Sequence, residues 1–519
     1  MHSVVTNSGT KGRLNVLDVR PRFRPAKLAA AAIRGTITLA VLSALLLMVA
    51  RPAQAQTESV LYNFTGTPDG ANPYAGLTLK GGNLYGTTYG GGLYGFGSVF
   101  ELSPNGSGGW TETVLYSFCP AGGSCADGQN PTFSSLVFDS KGNIYGTAYA
   151  GGAKGNGVVF ELSSSGTVWT EAVVYSFAGQ PDGANPVNGL IMDAAGNLYG
   201  TSYNGGAGNN GAVFELSPNG SGGFTEKVIR SAPMTYAGLT MNAAGDLFGT
   251  TSTTVFELTP QSGGVWTSTT LFTFVAANAA TQGSNPNGTL ALDSAGNIYG
   301  TTMAGGKNNV GVVFKLTAGA TLPYKETLLY SFGTTGSQPF SGIVFDPAGN
   351  IYGTTKAGGK NGAGAVYELV APTGTGRYIP RILQTFIGIN GAVPYDGLIY
   401  SQGYLYGTAF DGGSSGMGAV FEINPNAART TTTVASSLNP STVGQAVTFT
   451  ATVTSPAGPP PDGEIVVFQP IGQAPMKGGV ATYTTSALAA GTTVIHALYS
   501  GDLNFIGNKS APLSQVVNP

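Results

Sequence analysis

The stretch "GNIYGTAYAGGAKGNGVVFELS", Gly142 to Ser163, carries the reading that decides the fold. It holds two short strand-like runs, "IYGTA" and "VVFEL", joined by a loop of glycine and small polar residues. Neither run is long enough for a helix of ordinary length, and both are rich in β-branched and aromatic side chains. The same phrase recurs, with small changes, along most of the 519 residues.

Aligning the copies on the Tyr-Gly-Thr step places it at Tyr85, Tyr145, Tyr199, Phe248 (as "FGT"), Tyr299, Tyr352 and Tyr406, with gaps of 60, 54, 49, 51, 53 and 54 residues. A period near fifty marks a repeated supersecondary unit that cannot bury its apolar faces alone. Each unit divides into four strands. An apolar run such as "GLIMD" is followed by a "DAAGN"-type turn, in which Gly and Asn are expected to supply the positive φ of a hairpin. Then come "LYGTT", a glycine-rich loop, "VVFEL", a polar turn, and "VLYSF". Four strands per unit is the content of a propeller blade, in which the strand-interior glycine of "YGT" is expected to make room for close blade-to-blade packing and its tyrosine to lie in the core between blades rather than serve as a binding platform.

Ring closure is written at the ends of the array. "TESVLYNF", Thr57 to Phe64, matches "TETVLYSF" at Thr111–Phe118, a fourth strand, whereas the seventh unit stops at "AVFEI", Ala419–Ile423, without one. The early strand is therefore expected to complete the last blade, which removes an open sheet edge. The reading is all-β: a seven-bladed β-propeller over residues 56–426, closed by its N-terminal strand. The Thr/Val alternation of "AVTFTATV" then marks an Ig-like β-sandwich over residues 427–519.

Before the repeats, basic residues from Lys11 to Arg34 precede the apolar run "TITLAVLSALLLMVA", and Ala53 and Ala55 stand at signal-peptidase spacing. Residues 1–55 are read as a signal peptide that sends the chain to the cell surface, periplasm or medium, with an uncleaved anchor as the alternative. Without them 15 Lys and Arg face 24 Asp and Glu. No further apolar run is long enough to span a membrane. The sparse, mildly acidic charge also argues against nucleic acid as a partner. Cys119 and Cys125, in "CPAGGSC", are expected to form a local disulfide in an exported chain, two free thiols being the alternative.

Chemistry is scarce. The propeller region contains no histidine, which disfavours histidine-based acyl transfer and zinc chemistry. Sixteen of its 21 carboxylates fall on repeated template positions, leaving Asp69, Asp127, Asp182, Asp396 and Asp411. Three of these share a context, "DGANP" or "DGQNP", giving the pairs Asp69/Asn72, Asp127/Asn130 and Asp182/Asn185. The pairs lie in loops that lead from a fourth strand to the next first strand. They are candidate ligand-binding residues, with Ca²⁺ as a candidate cofactor; the competing reading is plain turn formation before proline. The fourth unit shortens both of its loops on that face, which suggests a notch in the rim.

"NLYGTTYGGGLYGFGSVFELSPNG" and its copies resemble the GloVer tandem repeat of secreted bacterial proteins. "TTTTVASSLNPSTVGQAVTFTATV" resembles a bacterial Ig-like repeat domain of surface and adhesion proteins. The resemblance implies no catalytic residues. The expectation is an exported, monomeric, non-enzymatic binding or adhesion protein whose propeller face contacts an extracellular polysaccharide or a surface protein. The alternatives are a carboxylate-based polysaccharide hydrolase or lyase, or a structural envelope protein.

Overall fold

The computed structural model describes residues 58–519 apart from 107–108, 121–122, 124, 221–222, 235, 373 and 375. The expected signal peptide lies outside these residues.

Seven antiparallel sheets follow one another in chain order. Blade 1 runs through Thr78–Lys80, Asn83–Thr88, Ser98–Pro104 and Trp110–Ser117. Blades 2 to 6 cover residues 137–176, 183–231, 240–273, 284–331 and 344–385. Blade 7 takes its first three strands from Ile399–Ser401, Tyr404–Ala409 and Ala419–Ile423, and its fourth is Glu58–Asn63. The closing register pairs Glu58 with Ile423 and Asn63 with Ala419, so the ring shuts as its sequence requires.

Each part of the repeated phrase has a separate mechanical role. The tyrosine of "YGT" belongs to the core between blades: Tyr85 packs with Ile144, Phe160 and Leu162 of blade 2. The aromatic residue opening a fourth strand caps the same seam, as where Trp110 meets Tyr406 of blade 7 edge-on at 6.4 Å. The threonine ties successive blades together, because its hydroxyl donates to a carbonyl of the next blade. Examples are Thr147 to Asn188 (3.1 Å), Thr301 to Ser341 (2.7 Å) and Thr408 to Ala75 (2.8 Å), the last across the closure.

Two local expectations are corrected. The glycine of "YGT" accommodates a ring of its own blade rather than a neighbouring blade: Gly86 pairs with Phe100, and a β-carbon on Gly86 would sit 2.6 Å from the ring tip. In the "DAAGN" turns only the glycine takes positive φ, 84° at Gly196. Asn197 instead donates its side-chain amide to Asp193, whose carboxylate also receives the N–H groups of Ala195 and Asn197.

Beyond the ring, Val447–Thr454 pairs with both Thr431–Ser436 and Val480–Thr485. Gly491–Gly501 pairs with Ile465–Gln469, Phe505–Lys509 and Leu513–Asn518. Alternate residues Val447, Phe449, Ala451 and Val453 point into a shared core with Phe468, Ile495 and Tyr499, the period-two burial of a sandwich.

Candidate functional site: an aromatic face over an axial cavity

Where each fourth strand crosses to the next first strand, the chain passes a proline and turns toward the axis. The residues at or just after this point include Tyr74, Phe133, Tyr236, Phe340 and Tyr395, and their rings converge. Tyr74 stacks on Tyr395 at 4.5 Å, Phe133 on Phe340 at 5.3 Å, and Phe340 meets Tyr395 edge-on at 5.6 Å. Residues at the ends of second strands extend the cluster outward. Tyr203 stacks on Tyr236 at 4.9 Å with an interplanar angle of 18°, and Phe410 packs against Tyr74 at 4.3 Å. Phe133 and Phe340 are buried, whereas Tyr89 and Tyr203 are more than a third exposed. The plug is thus apolar at its centre and offers tyrosine faces and hydroxyls at its surface. Lys356 Nζ lies 4.8 Å from the Tyr395 ring centroid.

Beneath the plug, a cavity of about 270 Å³ is lined by residues from all seven blades, among them Gly76, Ser135, Asn188, Thr289 and Asp396. Small residues here let the inner strands approach the axis. Asp396 is the one carboxylate in this lining. Burial pushes its carboxyl upward, opposed by N–H groups donated from Gly397 (2.6 Å) and Gly76 (2.7 Å).

The repeats that build this face match the model of the Gloeobacter/Verrucomicrobia repeat over residues 108–265 and 236–456. The chain belongs to that family. A bacterial Ig-like domain (group 3) model matches residues 431–518, the sandwich. No curated protein matches the chain. Among solved structures it is similar to a streptogramin B lyase at 18% identity, covering 71% of this chain and 97% of that one, TM-score 0.46. Virginiamycin B lyase from Staphylococcus aureus is 14% identical, with coverage of 70% and 98% and a TM-score of 0.44. The extracellular domain of a hybrid two component system of B. thetaiotaomicron is 12% identical; the match covers 91% of this chain and 60% of that one, TM-score 0.47.

In this Gloeobacter/Verrucomicrobia repeat protein the three Asp/Asn pairs occupy three separate blade seams and do not converge. Each aspartate organises its own loop. Asp69 accepts from Tyr62 Oη (3.0 Å) and from the N–H and hydroxyl of Thr65; Asp127 accepts from Tyr116 Oη (2.9 Å) and Cys119 N–H; Asp182 accepts from Tyr175 Oη (3.0 Å) and Ala178 N–H. Each asparagine sits at positive φ, 53–57°, and reaches to the preceding blade. Asn72 donates to the carbonyl of Phe410, Asn130 to that of Tyr89, and Asn185 to that of Tyr149. The asparagines therefore hold the backbone from which the aromatic face projects. Among the described residues no three His, Cys, Asp or Glu side chains gather as a metal site requires. The Cys119–Cys125 disulfide is formed and staples the loop before Asp127.

Sequence reasoning missed the aromatic plug. A signal existed: in "NPY", "QPF" and "VPY" an aromatic follows the proline at Tyr74, Phe340 and Tyr395, but Phe133 and Tyr236 are offset from it. In blade 4 the glycine-rich loop is replaced by a turn closed by Thr251 N–H to Thr254 O (2.9 Å), the shortening expected at the rim.

Proposed function

We propose that this is an exported binding protein whose propeller face takes a neutral extracellular polysaccharide, with tyrosine rings as stacking platforms. The observation that carries the reading is the pair of stacked tyrosine sets, Tyr203/Tyr236 and Tyr74/Tyr395, at the mouth of the axis. The C–H face of a pyranose lies flat on such rings, and phenol hydroxyls and loop carbonyls are left for its hydroxyl groups. The short turn of blade 4 leaves a low point in the rim beside Tyr236, through which a chain could lie across the face. Asp69/Asn72, Asp127/Asn130 and Asp182/Asn185 act here as positioning residues for the loops. The sandwich serves as spacer, the protein works as a monomer, and calcium is not required.

Binding rather than turnover fits the axial carboxyl, since both Asp396 oxygens already accept backbone N–H groups and a glycosidase uses two carboxyl groups about 5–10 Å apart. The test is a pull-down on insoluble neutral polysaccharides, with and without chelator. Exchanging both Tyr203 and Tyr236 for Ala should weaken retention roughly ten- to thirtyfold, each lost stack contributing about 1 kcal/mol. Unchanged retention, or release of shortened sugars, would reject the reading.

A further inference from the structure

Five glutamates occupy one position in the fourth strands, opposite the Leu or Ile of "VFEL": Glu58, Glu112, Glu171, Glu226 and Glu326. In every one of them Oε1 is buried and has no hydrogen-bond partner. The fourth strands of blades 7 and 1, 1 and 2, and 2 and 3 lie side by side, so Glu112, Glu171 and Glu226 face the seam to the preceding blade. At three consecutive seams an aspartate of the "DGxNP" loop acts on it: Asp69 on Glu112, Asp127 on Glu171, and Asp182 on Glu226, the last through a hydrogen bond.

Asp69 receives hydrogens from Tyr62, Thr65 and Gly70, and Asp182 from Tyr175, Ala178 and Gly183. These aspartate oxygens are supplied with N–H and O–H donors, whereas Oε1 of each facing glutamate has none. Two other seams carry different residues at these positions. Between blades 6 and 7 the tyrosine is replaced by Gln384 and the aspartate by Asn390, and both side-chain amides donate to Glu58 Oε2. Burial still pushes the Glu58 carboxyl up to about 8, against the opposing hydrogen bonds of these two amides. Between blades 3 and 4 the tyrosine position holds Arg230 and the glutamate position Ser268, so neither of these two positions carries a carboxyl.

We infer that at the seams between blades 7 and 1, 1 and 2, and 2 and 3 a buried glutamate whose Oε1 has no donor keeps its proton beside the aspartate of the neighbouring loop, which makes this arc a pH-sensitive latch on the ring. The first of these seams includes the closing strand itself. Burial, then the facing aspartate, pushes Glu112, Glu171 and Glu226 up to about 7. The titratable groups facing them are Asp69 and Tyr62, Asp127 and Tyr116, and Asp182 and Tyr175; no cation acts on any of the three glutamates among the described residues. The folded ring holds protons that the unfolded chain releases near the ordinary glutamate value. The stabilisation is therefore complete below that value and is lost as pH rises through about 7.

The test compares the whole chain with a Glu112→Gln, Glu171→Gln, Glu226→Gln variant, in which amides replace the protonated carboxyls. Melting temperatures are read between about pH 5.5 and about pH 8.5, together with the infrared band of protonated carboxyls near neutrality. The wild type should melt lower at the alkaline end. The variant should lose much of that slope, with a remainder from Glu58 and Glu326, and should lose most of the infrared band. A wild-type melting temperature that is flat with pH overturns the inference, as does a variant with the full slope. Calcium that raises wild-type but not variant melting at alkaline pH would assign the pairs to a cation instead. If the variant does not fold, the wild-type infrared band alone decides, and its absence near neutrality rejects the retained protons.

Discussion

The ring of Phe100 lies across the α-carbon of Gly86, its partner on the adjacent strand, so closely that a methyl group there would sit 2.6 Å from the ring tip. The arrangement repeats with Phe160 over Gly146, Phe214 over Gly200 and Phe421 over Gly407. A glycine inside a strand ordinarily weakens it; here it makes room for a ring with no exposed surface. Gly86→Ala should destabilise the propeller by about 1–3 kcal/mol, read from the denaturant midpoint. Adding Phe100→Leu should recover part of the loss, because the two sites share one contact. A fully additive double variant would show that the ring is not the cause.

The closing seam offers a second test. Thr408 donates to the carbonyl of Ala75 from a buried position, and Glu58–Asn63 covers the edge of Ala419–Ile423. Thr408→Val should cost about 1 kcal/mol, as expected for one buried hydrogen bond. Deleting Glu58–Asn63 should be far worse, exposing a bare edge that pairs between molecules. Size-exclusion chromatography should then show oligomers or aggregate, and a stable monomer would contradict the closure.

Acid should act on the opposite face, at the first-to-second strand turns. Burial raises the Asp193 and Asp293 carboxyls, but hydrogen bonds from Asn197 and Tyr199, and from Asn297 and Tyr299, outweigh it and leave both below their ordinary value. A lowered carboxyl stabilises the fold above its unfolded value and loses that contribution as pH falls through its folded one. With the glutamates titrating in the other sense, thermal stability should peak in mildly acidic solution and decline on both sides. An Asp193→Ala, Asp293→Ala variant should show a weaker acid decline. An unchanged acid limb would exclude these turns as its source.

Asn185 supplies a test of positioning rather than of contact. Its φ of 55° is tolerated by glycine, so Asn185→Gly keeps the turn while removing the amide that holds Tyr149 O. Polysaccharide retention should fall several-fold with the melting temperature little changed. Equal losses in both would make the residue structural only.

The period, strand count and circular closure are legible in the sequence because they are local: each repeat carries its strands, turns and glycine-rich loop in order. The tyrosine of "YGT" reads correctly as seam core for the same reason, and the short cysteine spacing makes the disulfide readable. The "YGT" glycine is read for the right kind of reason but the wrong partner, since the ring that needs the space comes from a strand about fourteen residues away, as Phe100 does from Gly86.

Chain order alone settles that seven units of alternating apolar and polar residues must close on themselves, since no single unit can cover its own faces. Only the folded ring decides what meets at the axis and in the seams. Tyr74 and Tyr395 stand 321 positions apart in the chain, yet circular closure makes blades 1 and 7 neighbours and stacks their rings. Likewise, "DGANP" and "WTET" each read as ordinary turn and strand. The glutamate oxygen is buried without a donor, with the loop aspartate acting on it, only when two blades press together and exclude water.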